Sequence, residues 1–97
     1  MKDTEDTDRP VELPIEDAID LHAFAPREIP SVVASYLEAA WEAGFAEVRV
    51  IHGRGRGVQR ERVRSVLVGH PLVVEARDAP PERGGWGATV IRLRPRG

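Results

Sequence analysis

The segment between Ile51 and Val58 restricts the fold of this chain more than any other, because every second residue in it is glycine. Residues 47–51 before it have the composition of a strand, and a helical pattern begins near Val58. Glycine has no Cβ, so this loop can take positive φ angles and approach a ligand closely. The free N–H groups at the start of the helix point back toward the loop and favour an anion. The sequence therefore predicts an anion site where strand, loop and helix meet.

The polar side chains of this loop are suited to phosphate chemistry. Arg54 and Arg56 carry guanidinium groups that match the geometry of phosphate oxygens. His52, at the base of the loop, has the one type of side chain whose ordinary pKa permits proton transfer near neutral pH. We therefore predict that this loop and His52 act on the phosphodiester backbone of a nucleic acid. The residues assigned to phosphate binding here are Gly53, Arg54, Gly55, Arg56, Gly57 and Arg60.

Length and composition indicate one small soluble domain. The chain has 97 residues, of which 41% are hydrophobic and 31% charged, and no cysteine. One core is possible, whereas a disulfide framework or a thiolate metal site is excluded. No apolar run approaches the roughly 20 residues of a membrane-spanning helix, and the N-terminus lacks an apolar signal segment. We predict a disordered acidic tail at residues 1–14, one domain at residues 15–97, no membrane contact and a cytoplasmic location.

The charges are distributed unevenly along the chain. Residues 1–17 hold seven acids and two bases, whereas residues 18–97 hold nine acids and twelve bases. Within residues 49–64 there are six arginines and one acid. Such clustering is typical of a protein that binds nucleic acid. The alternative is an arginine-rich helix face that is merely solvated.

Two predicted strands flank the clearest helix of the chain. Ala18–Leu21 reads as a short strand, residues 27–43 carry an apolar stripe at helical spacing, and residues 46–51 form a second strand. A strand, helix and strand in succession imply a parallel pair joined by a right-handed crossover. Parallel neighbours end at the same sheet edge, so His22 and His52 are expected there together. In open α/β sheets this carboxyl edge is where ligands bind.

Asp20 stands two residues before His22, and strand alternation would put both side chains on one side. A carboxylate in that place can orient the imidazole and favour its protonated form. The alternative is that the two residues only cap the strand end or the next helix.

The second half of the chain continues the alternation of helix and strand. A helix over residues 58–68 is followed by a strand at 72–77 and a last strand at 88–93. If one face of the last strand is wet, Val90 and Ile91 cannot both point inward. We expect one covered and one solvated face of the sheet.

A second glycine cluster, Gly84–Gly87, precedes the last strand. We assign Gly85 and Trp86 to the nucleic-acid site, where the indole could stack on a base. Trp86 could instead pack on the sheet edge or anchor a protein partner. Other motif readings fail: the loop lacks both the dinucleotide-binding pattern and a Walker A lysine, and no recognised metal-ligand spacing is present.

The order of these motifs resembles the Smr (small MutS-related) domain family. The motifs are Asp20-Leu21-His22, His52-Gly53-x-Gly55-x-Gly57 and Gly84-Gly85-x-Gly87-Ala88-Thr89. The resemblance covers about residues 15–95. It implies an α/β two-layer sandwich of order βαβαββ, like the C-terminal domain of translation initiation factor 3. Its mixed four-stranded sheet carries two helices on one face, with the last strand antiparallel between the second and third.

The resemblance also implies a function. Some Smr domains resemble nicking endonucleases that act on DNA, others cleave RNA, and some only bind. The catalytic candidates are then Asp20, His22 and His52, with the histidines as general acid and base. The implied partner is DNA or RNA, branched or single-stranded. An RNA substrate supplies its own 2′-hydroxyl, whereas DNA requires an activated water, for which Mg²⁺ held by Asp20 is the candidate cofactor.

Two positions depart from the family pattern. Ala23 follows the first histidine where glycine is usual, which would narrow the approach of a phosphate to His22. Gln59 stands where the helix usually has an aliphatic residue, a place that Val58 can fill. The leading hypothesis is a nucleic-acid-binding endonuclease domain. The alternative is a non-catalytic DNA- or RNA-binding module that uses the same basic edge, and no feature of the sequence indicates an oligomeric state.

Overall fold

The computed structural model describes residues 15–96, and these form a sheet of four strands combined with two α-helices. In chain order the elements are β1 (Ala18–Asp20), α1 (Ile29–Glu42), β2 (Glu47–Ile51), α2 (Val58–Leu67), β3 (Val73–Asp78) and β4 (Ala88–Leu93). Short 3₁₀ turns at Leu21–Ala23, Pro26–Glu28, Pro81–Arg83 and Gly85–Gly87 connect them. The predicted acidic tail at residues 1–14 lies outside the described residues.

The strand order confirms the predicted topology. The strands lie in the order β1-β2-β4-β3. β1 pairs with β2 in parallel, and β4 runs antiparallel between β2 and β3. The expected βαβαββ sandwich with a mixed sheet is therefore present. Because β1 and β2 are parallel neighbours, their carboxyl ends meet at one edge of the sheet.

Both helices share one apolar core with one face of the sheet. The helices contribute buried aliphatic side chains at helical spacing, and alternate residues of β2 and β4 meet them. The central members are Val33, Leu37, Val48, Val50, Val63, Leu67 and Ile91. Tyr36 is buried and Trp41 packs against the core, as the helical stripe predicted. Neither helix in residues 15–96 has the length and apolar character that a membrane crossing requires.

Val90 and Ile91 point to opposite faces of the sheet and both are buried, so the expected solvated face is not found at these two residues. Ile91 lies in the main core, and Val90 joins Ala79 and Ala88 in a second small apolar cluster on the opposite face. The opposite face is covered at this point because the chain after β3 returns across it. Arg49, the cross-strand neighbour of Val90, donates from Nη1 to a backbone carbonyl of that returning segment.

The element boundaries differ from the prediction by a residue or two. β1 ends at Asp20 because its carboxylate caps the 3₁₀ turn that follows. α1 begins at Ile29, since the turn that contains Pro26 precedes it as a separate 3₁₀ segment. These shifts leave the relation of the strands to the glycine loop unchanged.

Candidate functional site

Both strand-end histidines border one shallow cleft at the carboxyl edge of β1 and β2. The cleft has a volume of about 290 Å³. Its walls are His22, His52, the loop of residues 53–57 and the first two residues of α2. Larger hollows, of about 400, 480 and 500 Å³, contain no histidine and no part of this loop. The candidate site is therefore identified by its chemical groups and not by the volume of its cavity.

Asp20 and His22 form an exposed, oriented pair. Asp20 Oδ1 accepts the backbone N–H of His22 at 2.9 Å and lies 2.6 Å from its Nδ1. A carboxylate can only accept, so Nδ1 carries the proton in this contact. These backbone and side-chain hydrogen bonds lower the pKa of the Asp20 carboxyl below its ordinary value. The side chains of His22 and Asp20 are 67% and 60% exposed.

The second nitrogen of His22 faces the glycine loop. A Cβ built on Gly53 would lie 3.1 Å from His22 Nε2. Gly53 also has a φ of 84°, a value that other residues rarely adopt. Glycine at this position thus serves both the backbone turn and the close approach of the imidazole. The predicted meeting of the two motifs at one edge is confirmed.

His52 has the opposite environment. Its residue is 5% exposed. Nδ1 lies 2.9 Å from the carbonyl of Gly53 and Nε2 lies 2.9 Å from the hydroxyl of Thr89. The carbonyl fixes the proton on Nδ1, so a neutral ring accepts the Thr89 hydroxyl at Nε2. Burial, and then the charges of Arg60 and Arg64, lower the pKa of His52.

Thr89 is the site residue to which sequence reasoning gave no role. It is fully buried, with 0% exposure, on the core side of β4. A buried hydroxyl needs a hydrogen-bond partner, and His52 supplies it. The available signal was a lone polar residue at a core-facing position of an apolar strand.

The second glycine turn holds the first loop in place. The carbonyl of Gly87 accepts the backbone N–H groups of His52 and Gly53, at 3.0 and 2.8 Å. These bonds join the start of β4 to the end of β2. The two glycine motifs, which are far apart in sequence, therefore form one backbone unit.

Small residues in the second turn also make room for Arg54. A Cβ on Gly87 would lie 3.0 Å from Arg54 Cγ, and one on Gly85 would lie 3.0 Å from Arg54 Nη2. The neighbouring Trp86 also contacts the loop, with Cζ3 3.7 Å from the Cβ position of Gly57. Gly85 and Trp86 thus border the loop, and their assignment to nucleic-acid binding stays a prediction.

The arginines separate into two groups. Arg54 and Arg56 are exposed and form no ion pair with any other residue of the 15–96 segment. Arg60 donates to Asp78 Oδ1 at 2.7 Å, and Arg64 donates to the same oxygen at 2.8 Å. Hydrogen bonding from Arg60 lowers the pKa of Asp78. The structure therefore brings the two loop arginines to the cleft and leaves Arg60 outside its walls.

Helix α2 begins directly at the loop. Gly57 is its N-cap residue, with a φ of 84°, and no side chain caps the helix. The N–H groups of the first turn are consequently without intrahelical partners. Val58 and Gln59 line the cleft at this helix end, so the helix start that the sequence predicted beside the loop is present, and anion binding there stays a prediction.

The side chains of the described part do not form a metal site by themselves. Residues 15–96 hold no group of three or more histidine, aspartate and glutamate side chains placed around a metal ion. Asp20, the carboxylate paired to His22, already accepts two hydrogen bonds at Oδ1. Mg²⁺ is usually held by one or two carboxylates together with water and substrate phosphates, so Asp20 would offer such an ion its Oδ2 and the phosphate of the substrate would supply further oxygens.

Comparison with known proteins gives the family of this fold and site. The family model described as the Smr domain matches residues 19–94 of this chain. The chain belongs to the Smr domain family. The resemblance inferred from the motif order is thus confirmed over nearly all of the described residues.

Relatives of this Smr domain occur within much longer proteins. It is 42% identical over 76 residues to "Endonuclease MutS2" of Halalkalibacterium halodurans, which covers 78% of this chain and 10% of that protein. It is 35% identical over 80 residues to the protein of the same name from Clostridium botulinum, which covers 82% of this chain and 10% of that protein. The chain therefore spans about a tenth of the length of these curated relatives.

Two solved structures share the fold. The Smr domain of Thermus thermophilus MutS2 superposes with a TM-score of 0.77 at 36% identity, covering 82% of this chain and all of that one. The small MutS-related protein YdaL from Escherichia coli gives a TM-score of 0.70 at 30% identity, covering 84% of this chain and 66% of that one. The cytoplasmic location and the roles of single residues stay predictions.

Proposed function

We propose that this Smr domain binds nucleic acid, single-stranded or branched, and cleaves its phosphodiester backbone. The observation that carries the proposal is the exposed Asp20–His22 pair, whose free imidazole nitrogen faces a loop of glycine and arginine. The name endonuclease, which MutS2 relatives carry, supports the same reaction class.

The phosphate is bound by the loop. Backbone N–H groups of the loop and of the first turn of α2 approach its oxygens, and Arg54 and Arg56 add charge. Neither arginine is held by a carboxylate of the described residues. The developing negative charge in the transition state falls in the same place, so these groups also stabilise it.

His22 is the general base in this proposal. Its Nε2 accepts the proton of the attacking hydroxyl while Asp20 holds the ring through Nδ1 and stabilises the imidazolium. In RNA the 2′-oxygen forms a new bond to phosphorus, the bond from phosphorus to the 5′-oxygen breaks, and that oxygen takes up a proton from solvent. In DNA a water molecule takes the place of the 2′-hydroxyl. The steps assigned to this chain use no metal ion.

His52 has a positioning role in this proposal, although its sequence motif made it a second acid–base candidate. Both ring nitrogens are engaged and the ring is buried. It fixes the carbonyl of Gly53, whose amide is held by the second turn. Thr89 fixes the ring in turn. A proton shuttle at His52 would require these contacts to open first.

The test is cleavage of labelled RNA and of branched DNA, each with and without EDTA. We expect His22→Ala to lower the rate by about 10²- to 10⁴-fold, since it removes a general base. The matched control is His70→Ala, which removes a histidine from the turn between α2 and β3, where its ring accepts the N–H of Leu72. Cleavage by His22→Ala at the rate of the parent protein would contradict the assignment of His22 as the general base.

The second candidate is a binding module without cleavage, which the engaged state of His52 favours because only one free imidazole remains. Here Arg54→Ala with Arg56→Ala should weaken binding equally for all sequences. The slope of log K against log salt concentration should become shallower by about 2, because two phosphate contacts are lost. Arg77→Ala with Arg92→Ala, on arginines already paired to Glu47 and Glu75, is the control. Salt-dependent binding with no cleavage of any substrate would establish this candidate.

A further inference from the structure

The two tryptophans of this domain differ in what the fold uses them for. Trp41 packs against the main core, and its indole N–H donates to the carbonyl of Arg94 at 2.9 Å. Trp86 belongs to neither apolar cluster and is 44% exposed. An indole left in water contributes little to folding, whereas the same surface contributes strongly when a ligand covers it. Trp86 therefore has a surface to offer a ligand.

The position of Trp86 is fixed beside the phosphate loop. Its 3₁₀ turn is tied to the loop through the carbonyl of Gly87, which accepts two loop amides. The indole edge lies against Gly57, and the preceding Gly85 lies against the guanidinium of Arg54. A flat apolar surface thus stands next to an unpaired cationic side chain without a loop rearrangement.

One other exposed apolar side chain lies at the same cleft. Val58, the first residue of α2, is 52% exposed and lines the cleft. Apolar surface therefore lies beside a loop that is itself cationic.

We propose that Trp86 stacks on an unpaired base next to the phosphate held by the glycine loop. The ligand must join an anion to a flat apolar face, and a nucleotide does so. In a duplex each base is already covered by its neighbours, so only an unpaired or extruded base offers its face. The substrate class is nucleic acid that is single-stranded at the bound nucleotide. This inference rests on the proposed phosphate site.

The experiment measures equilibrium binding of a labelled oligonucleotide as a single strand and as a perfect duplex, in RNA and in DNA. All proteins carry His22→Ala, which is expected to slow cleavage enough for binding to be measured at equilibrium. We expect Trp86→Ala to weaken single-strand binding by about 5- to 140-fold, the equivalent of about 1–3 kcal/mol. Trp86→Phe retains most of the affinity because the ring remains. Duplex binding changes little in both variants.

A single abasic nucleotide, moved along the strand, locates the contact. At one position it should weaken binding to the parent as much as Trp86→Ala does, and should have no further effect on Trp86→Ala. Val74→Ala is the matched control, because it shortens an exposed apolar side chain on β3, away from the cleft. Circular dichroism checks that each variant is folded.

The outcomes separate the two proposals. Equal loss on single strand and duplex, or an abasic effect that Trp86→Ala does not remove, would overturn the stacking role while the phosphate site stands. If the parent binds neither polymer, and the double arginine variant behaves like it, the proposed function fails and the inference with it. If both Trp86 variants bind the single strand as tightly as the parent, the stacking role is overturned. The exposed indole would then be a candidate contact for a protein partner.

Discussion

His22 and His52 follow neighbouring strands at one sheet edge, yet their burial and hydrogen bonding are opposite. His22 is exposed, carries one carboxylate partner and leaves its second nitrogen at the cleft. His52 is buried, and both of its nitrogens are bound by the fold. The same residue type, at the ends of neighbouring strands, leaves one ring nitrogen open to the cleft in the first case and holds neighbouring segments together in the second.

The difference follows from the place of each strand in the sheet. β1 is an edge strand of three residues, so its end meets solvent on one side. β2 lies between β1 and β4, so its end is enclosed by the second glycine turn and by Thr89. A histidine motif therefore indicates a site, whereas the neighbouring strands decide which histidine can exchange a proton with a ligand.

The largest effect that would test this comparison is on stability. We expect His52→Ala to lower the free energy of unfolding by about 2–4 kcal/mol, because it leaves a cavity and removes the partner of the buried Thr89 hydroxyl. His22→Ala, at an exposed site, should change it by about 0.5 kcal/mol or less. Urea unfolding followed by circular dichroism measures both. Equal losses would remove the distinction between the two residues.

A smaller effect is expected at the contact between the two motifs. Gly53→Ala puts a Cβ 3.1 Å from His22 Nε2 at a φ of 84°. Gly69→Ala is the control, since Gly69 has a φ of 75° and nothing within 4 Å of a Cβ. Each change should cost about 1–2 kcal/mol of unfolding free energy through backbone strain. Only Gly53→Ala should also slow cleavage, and equal activity of the two variants would show that the contact is irrelevant.

The smallest predicted effect is the pH dependence from His52. Its pKa is lowered in the folded state, so below about pH 6.5 the unfolded chain binds more protons than the folded one. Stability should be full above that pH and fall as the pH drops toward the folded pKa, by about 1.4 kcal/mol for each unit of lowering.

Urea titrations between about pH 5 and 8 measure this dependence. The carboxyl groups of Asp20 and Asp78 have lowered pKa values, so they titrate below this pH range. His52→Gln should remove most of the slope, since glutamine can accept the Thr89 hydroxyl and does not titrate in this range. A slope that survives His52→Gln would mean that another group is responsible.

The local features were predictable because they depend on neighbours in sequence. Alternating and helical apolar patterns located β2, α1 and α2, and the glycine spacing located the loop. The predicted parallel pairing of β1 and β2 placed Asp20, His22 and His52 at one edge, because parallel neighbours end on the same side of a sheet. The chemistry available at that edge could therefore be inferred before any coordinates.

The remaining features of the site depend on tertiary contacts. The insertion of β4 beside β2 buries His52 under Thr89 and lets the Gly87 carbonyl hold the loop. The approach of β3 to α2 pairs Arg60 with Asp78 and so keeps it from the cleft. Each of these contacts joins residues far apart along the chain, and periodicity carries no information about such pairs. The sequence determined where the chemical groups gather; only the packing of distant strands decided which of them remain open to a ligand.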